Sequence, residues 1–279
     1  MIARTLSQRI VVRTSDRTAF AAIQYLACDP DIAGVQQENF VMTVEPFRGR
    51  YLITEEDRGP VEVIGRAALI DHLSSRVVSL SLQAKPSAGI FHAALLRRGN
   101  RKVLITGREA AGKTTLAMRL VQAGYELEGD EHVFLEEDGV IARPRCCRVK
   151  ESSLTFLPAV AEAIAASPVY VDYSGRRIFN VDPRTMGGTW RIEKGPVDRI
   201  IVLQPNHGGY SSVRRMQPLA LSQALLSEFG LRETGRSASI GAVARLAATC
   251  QGFDLSLGDH ETAIRCIDRA LEVEGTLST

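Results

Sequence analysis

The fold class this sequence predicts is an α/β protein, with a mixed sheet and flanking helices, and three observations predict it. Short β-branched or apolar runs alternate with stretches of helical spacing along the chain. One apolar run, residues 103–106, leads into a glycine-bounded turn that opens directly into a helical pattern from Lys113. A second apolar run, 91–96, precedes it across Gly99-Asn100, residues that tolerate the positive φ of a tight hairpin. The strand feeding the turn therefore has an antiparallel neighbour, and the sheet is not purely parallel.

Taken in order, residues 9–12 form a β-branched run and predict a strand, while 18–27 have helical spacing and stop near Asp29-Pro30. Strands are expected at 40–44, 50–54 and 61–63, separated by turn residues, with a short helix at 67–73. Pro86 to Gly89 reads as the internal boundary, which leaves an amino-terminal α/β segment at 1–88 and a larger domain at 89–279. Beyond the hairpin, a helix at 113–123 ends at Gly124 as its C-terminal cap. Strands come next at 126–129 and 132–136, with a turn at 137–139. The last third holds a strand at 199–203 and helices at 218–229, 239–250 and 259–272. Pro218 suits a first helical position, and Asp259 is the N-cap of the final helix, whose Ile264, Ile267 and Leu271 share one face.

Composition narrows the function classes. A chain of 279 residues with 45% hydrophobic side chains can bury a sizeable core. A net charge of only +2 supplies no global field for nucleic acid. Five cysteines, an odd number with no C-x-x-C spacing, argue against a disulfide framework and a zinc site. The polar start and the lack of an 18-residue apolar run predict a cytoplasmic protein with neither nucleic-acid nor membrane partners.

Gly107-Arg108-Glu109-Ala110-Ala111-Gly112-Lys113-Thr114 fits G-x-x-x-x-G-K-[ST] at every fixed position, and Thr115 continues into the helix. Two glycines let the backbone wrap so that several N–H groups converge on phosphate oxygens. Lys113 adds a positive charge for the β and γ phosphates, the Thr114 hydroxyl can bind Mg2+, and the helix presents its positive end to the anion. ATP and Mg2+ are the ligands this arrangement predicts.

A short crossover later the chain reads Gly129-Asp130-Glu131-His132. Phosphoryl transfer needs a metal ligand and a group that accepts the incoming hydroxyl's proton, and Asp130 and Glu131 can supply both. Adjacent strand residues face opposite ways, so joint action requires a twist or bulge, for which Gly129 is well placed.

The run from Phe91-His92 through the hairpin and 107–114 to Asp130-Glu131 resembles the catalytic core of HPr kinase/phosphorylase and its stand-alone serine-kinase relatives. The close resemblance covers residues 91–154. It implies a phosphoenolpyruvate-carboxykinase-like P-loop kinase core, ATP as donor and a serine hydroxyl as acceptor. Asp130 would be the catalytic base, Glu131 with Thr114 would hold the metal, and His92 and Lys113 would complete the active site. The acceptor would be a protein or peptide, such as a modified-peptide precursor or an HPr-like protein, and a homo-oligomer stays open. The family's paired aspartates are Asp-Glu here, and the glycine-rich segment for phosphorolysis has no clear counterpart, so a kinase without the reverse activity is expected. Two rivals remain: a sugar or polyol kinase on the same core, and a nucleotide-driven ATPase or switch.

Weaker signals are a basic cluster, Arg143, Arg145, Arg148 and Lys150, which suits either phosphate contacts or a solvated face. Arg176, Arg177, Arg184, Arg191, Arg214 and Arg215 are candidates for stabilising the transferred group.

Overall fold

Ile10 and Val12 lie two apart in the strand Gln8–Arg13, share one face, and are fully buried. Burying that face organises the amino-terminal part of the chain. The computed structural model describes residues 1–34, 38–55, 58–83, 89–172, 174–231 and 236–272. These divide into two units: Met1–Pro86 with Arg143–Thr185, and Ser87–Ala142 with Met186–Thr279. Sequence reading places the boundary near 86–89 and does not separate residues 143–185 from 186–279. The 143–185 stretch returns to the amino-terminal unit as a three-stranded sheet of its own.

In the first unit, Ile2–Arg4, Gln8–Arg13, Glu38–Phe47, Arg50–Glu55 and Arg58–Val63 form a five-stranded sheet in that order. Gln8–Arg13 and Glu38–Phe47 are parallel, and the intervening helix Arg17–Ile23 makes the crossover that a parallel pair requires. Helix Gly65–Gln83 also packs here, and Leu69 and Leu73 meet Ile10, Met42, Val44 and Ile53 in one core. This helix runs far beyond the 67–73 that its apolar spacing suggests. Strands Cys147–Lys150 and Val169–Val171 flank Arg177–Val181 in the small second sheet of this unit.

The second unit is built on a six-stranded mixed sheet. Its order is Glu126–Gly129, Ala93–Arg98, Arg101–Thr106, Arg199–Pro205, Gln251–Leu257 and Ser212–Arg215. Arg101–Thr106, Arg199–Pro205 and Gln251–Leu257 are parallel neighbours, and Ala93–Arg98 is antiparallel to Arg101–Thr106 through the Gly99-Asn100 turn. The central strands Arg101–Thr106 and Arg199–Pro205 are buried along almost their whole length, with apolar runs at 103–105 and 200–203, as strands covered on both faces must be. Helices Lys113–Gln122 and His260–Glu272 pack on this sheet and on each other.

One expected strand is two. The apolar run 91–96 breaks at His92 into Gly89–Phe91 and Ala93–Arg98, which join different sheets. Gly89–Phe91 pairs with Val133–Glu136 and Phe229–Leu231, and the Phe91 ring packs 4.6 Å from the Phe229 ring. The bend lifts His92 out of both ladders. Among the described residues no helix is long and apolar enough to cross a membrane.

Candidate functional site

The strand Arg101–Thr106 ends at Gly107, and the loop closes into helix Lys113–Gln122. Gly107 has φ +143°, and a Cβ there would lie 2.6 Å from the carbonyl oxygen of Leu203 on the neighbouring strand. Gly112, at φ +95°, is the residue before the helix, and its own carbonyl accepts from the Leu116 amide at 2.9 Å. The glycines are therefore demanded by backbone conformation at both ends and by close packing at the first. Ala110, between them, also sits at positive φ.

Lys113 is buried, and its ammonium donates to the carbonyls of Gly107 at 2.6 Å and Arg108 at 3.0 Å. The charge is thus held inside the loop. Burial lowers its pKa from the ordinary value, opposed by Glu228, Asp130, Glu109 and Glu131. Arg108, Glu109 and Ala110 form the exposed tip of the loop, Ala111 is buried, and Thr115 is half-buried in the first helical turn.

Strand Glu126–Gly129 brings the acidic pair to the loop. It runs in the same direction as Arg101–Thr106, with Ala93–Arg98 between them. Its register against Ala93–Arg98 shifts between Leu127 and Gly129, a bulge at the place where a twist was required. Glu131 then takes φ +81°. Of the three non-glycine residues at positive φ among those described, Ala110 and Glu131 both belong to this site. Such conformations cost about 1–3 kcal/mol each and cluster where a side chain has to be aimed. The result is a direct contact: the Thr114 hydroxyl donates to Asp130 Oδ2 at 2.7 Å, and Asp130 is buried.

His92 enters from the bend between its two strands. Its amide donates to the Glu228 carbonyl at 3.4 Å. Burial lowers its pKa, Lys113 pushes the same way, and Glu131, Glu228 and Glu109 oppose. Burial and Lys113 both favour the neutral imidazole over the charged one. The charges acting on His92 and on Lys113 come from one set of carboxylates, so these residues share an electrostatic environment. Glu228 is the member that sequence reading misses. It sits directly after helix Pro218–Ser227 in a stretch with no motif, and only the fold brings it to the loop.

Arg176, Arg177, Arg184, Arg191 and Arg214 are each in an ion pair with a carboxylate. Trp190 is core, 2% exposed, with its indole N–H on the Glu128 carbonyl at 3.1 Å. Arg143, Arg145, Arg148 and Lys150 belong to the first unit.

Among the described residues no group of three or more His, Cys, Asp or Glu side chains is placed to hold a metal ion. Mg2+ on a nucleotide needs only one or two protein oxygens, with phosphates and waters completing its shell, and the Thr114 hydroxyl and the acidic pair fit that demand.

No protein-family profile matches this chain, and no curated protein matches it. Among solved structures, the Hpr(Ser) kinase/phosphatase from Coxiella burnetii is similar, with a TM-score of 0.33 and 16% identity over 67% of this chain and 99% of that one. The relationship is a distant structural one.

Proposed function

We propose that this chain is an ATP- and Mg2+-dependent kinase of the HPr-kinase-like type, which transfers the γ-phosphoryl group to a serine hydroxyl of a protein or peptide. The observation that carries the reading is the Thr114–Asp130 contact beside Lys113, which sets a carboxylate at the mouth of a phosphate-binding loop. The choice of serine rests on the residue-level resemblance of 91–154 to that family.

In this reading the amides of 107–114 and the helix N-terminus bind the triphosphate, and Lys113 leaves the loop carbonyls for the β and γ oxygens. Mg2+, when bound, neutralises charge on those oxygens, and Thr114 and Glu131 would hold it. A threonine hydroxyl can give its proton to Asp130 while its lone pair faces a cation, so the observed hydrogen bond orients Thr114 for that role. Asp130 accepts the proton of the attacking hydroxyl. His92, neutral, contributes a hydrogen bond without adding charge.

The test is incubation of the purified chain with γ-labelled ATP and Mg2+ in a cell lysate, with Asp130→Asn as control. Label on serine in protein or peptide is the expected result. Label in a soluble sugar or polyol would move the acceptor to small molecules. Release of orthophosphate with no labelled acceptor would overturn the kinase reading.

A further inference from the structure

The first unit holds a pair of nucleophiles that the proposed reaction does not use, Cys28 and Cys146. Cys28 follows the helical turn Gln24–Leu26, and its backbone is pinned: its amide donates to the Ile2 carbonyl at 3.1 Å, and it bridges to Ala3. Cys146 stands directly before strand Cys147–Lys150, which pairs with Arg177–Val181. Both are free thiols and both are buried, 7% and 4% exposed. The fold brings these distant positions together. The Cys146 thiol donates to the carbonyl of Ala27, the residue before Cys28, at 3.3 Å. Its side chain is also in a hydrogen bond with that of Cys28.

A cavity of about 30 Å³ is the second, independent observation, because Cys28 and Cys146 both line it. Cys147, next in the chain, is 1% exposed and is not among its lining residues. The size of the cavity limits what can reach the two sulfurs through it. One water needs about 10–15 Å³ of such space, so 30 Å³ suits a molecule of two heavy atoms, the size of hydrogen peroxide, and excludes one as large as glutathione. The two thiols are also unequal. The hydrogen bond to Cys28, and then burial, push the Cys146 thiol well above its ordinary range, so Cys146 is the partner that keeps its proton.

We propose that Cys28 and Cys146 form an oxidative modification site, at which hydrogen peroxide joins the two sulfurs in a reversible disulfide. The Cys28 thiolate attacks one peroxide oxygen, the O–O bond breaks and hydroxide leaves, which puts a sulfenic acid on Cys28. The Cys146 sulfur then attacks the Cys28 sulfur, the S–O bond breaks, and the hydroxyl departs as water with the Cys146 proton. The hydroxide of the first step takes up the proton that Cys28 released. Two thiols are oxidised by two electrons in all, and one peroxide is reduced to two waters. An S–S bond is about 2.0 Å long, and thiols already in hydrogen-bond contact need little movement to reach it. The product ties the amino-terminal stretch to the segment 143–185 within one unit. Thiols that are free in the folded chain and close only on oxidation make a redox-sensing pair, which differs from the structural framework that the cysteine count argues against.

The test is hydrogen peroxide treatment of the full, reduced chain, then alkylation, proteolysis and mass spectrometry without reductant. A cross-linked peptide pair carrying Cys28 and Cys146, lighter by two hydrogens, is expected, and dithiothreitol should return both thiols. Cys146→Ser should stop at the Cys28 sulfenic acid, which dimedone traps. Cys28→Ser should leave Cys146 unlabelled by dimedone under the same conditions, and Cys147→Ser should cross-link as the unaltered chain does. Circular dichroism checks that the variants fold, and the cross-link in the unaltered chain is read without any substitution. Sulfinic acid in place of the disulfide, a cross-link through Cys147, or a cross-link that forms only in urea would overturn the proposal. Equal dimedone labelling of Cys146 in Cys28→Ser would overturn Cys28 as the attacking thiol. Phosphoryl transfer is never measured, so the result is independent of the kinase reading.

Discussion

The Thr114 hydroxyl and the Asp130 carboxylate meet at 2.7 Å, joining the first turn of the loop helix to the end of strand Glu126–Gly129. An amide oxygen can still accept that hydroxyl proton, whereas an amide cannot act as a base. Asp130→Asn should therefore leave ATP affinity near wild type and slow transfer by about 10²–10⁴-fold, the usual contribution of a general base. Lys113→Ala should do the reverse to binding, weakening it about tenfold or more as a charge-assisted contact disappears. Calorimetry with ATP and single-turnover transfer separate the two effects. Full activity in Asp130→Asn would remove Asp130 as the base.

Much of this site was legible because short-range chemistry specifies it. The loop, the hairpin before it and the helix after it are encoded within 91–124, where glycine positions and apolar runs are local signals. Asp259 is the N-cap the sequence marks, with the Thr262 amide on its Oδ1 at 2.7 Å. What was not legible depends on distant partners. Strand Gln251–Leu257 lies between two others in the main sheet, yet glycine, aspartate and serine interrupt its apolar pattern. Glu228 reaches the loop only through the pairing of Phe229–Leu231 with Gly89–Phe91. The break at His92 is likewise hidden in a run that is apolar on both sides. Segment 143–185 returns to the first unit through contacts that no local pattern reports.

Gly107 and Gly124 both have positive φ, but their surroundings differ. A Cβ at Gly107 would lie 2.6 Å from the Leu203 carbonyl oxygen, and one at Gly124 would meet nothing within 4 Å. Gly124→Ala should cost only the conformational term, about 1–2 kcal/mol. Gly107→Ala should cost more than that, because Leu203 and its strand must move, and it should impair ATP binding as well. Urea unfolding of both variants, with ATP titration of each, checks the order. Equal destabilisation would show that the Leu203 contact yields freely.

The Asp259 cap makes a pH-dependent contribution. Hydrogen bonds from Thr262, through its amide and then its hydroxyl, lower the Asp259 pKa to about 2. A carboxyl whose folded pKa is depressed stabilises the fold above its unfolded pKa, and that contribution disappears as pH falls through the folded value. Asp259→Ala should therefore melt below wild type at pH 7, and the difference should close between about pH 4 and pH 2. Thermal unfolding followed by circular dichroism across that range measures it. A gap that persists at pH 2 would assign the cap's effect to packing.

Lys102 and Glu128 form a buried ion pair, Nζ to Oε2 at 2.9 Å, with side-chain exposures of 9% and 1%. The Lys102 ammonium also donates to the Glu193 carbonyl. Burial raises the Glu128 pKa, and Lys102 opposes it. Removing one partner leaves a buried charge, so Lys102→Met should destabilise by about 3–5 kcal/mol at pH 8. Glu128 in that variant has a folded pKa raised further still, which favours folding only below the pKa of an exposed glutamate and penalises it as pH rises. The deficit should accordingly shrink toward pH 4. Lys102→Met with Glu128→Gln removes both charges and should recover most of the loss at every pH. Urea unfolding at pH 4, 6 and 8 distinguishes the outcomes. A pH-independent deficit that the double variant does not relieve would mean that Lys102 acts through its aliphatic stem and the Glu193 carbonyl, not through its charge on Glu128.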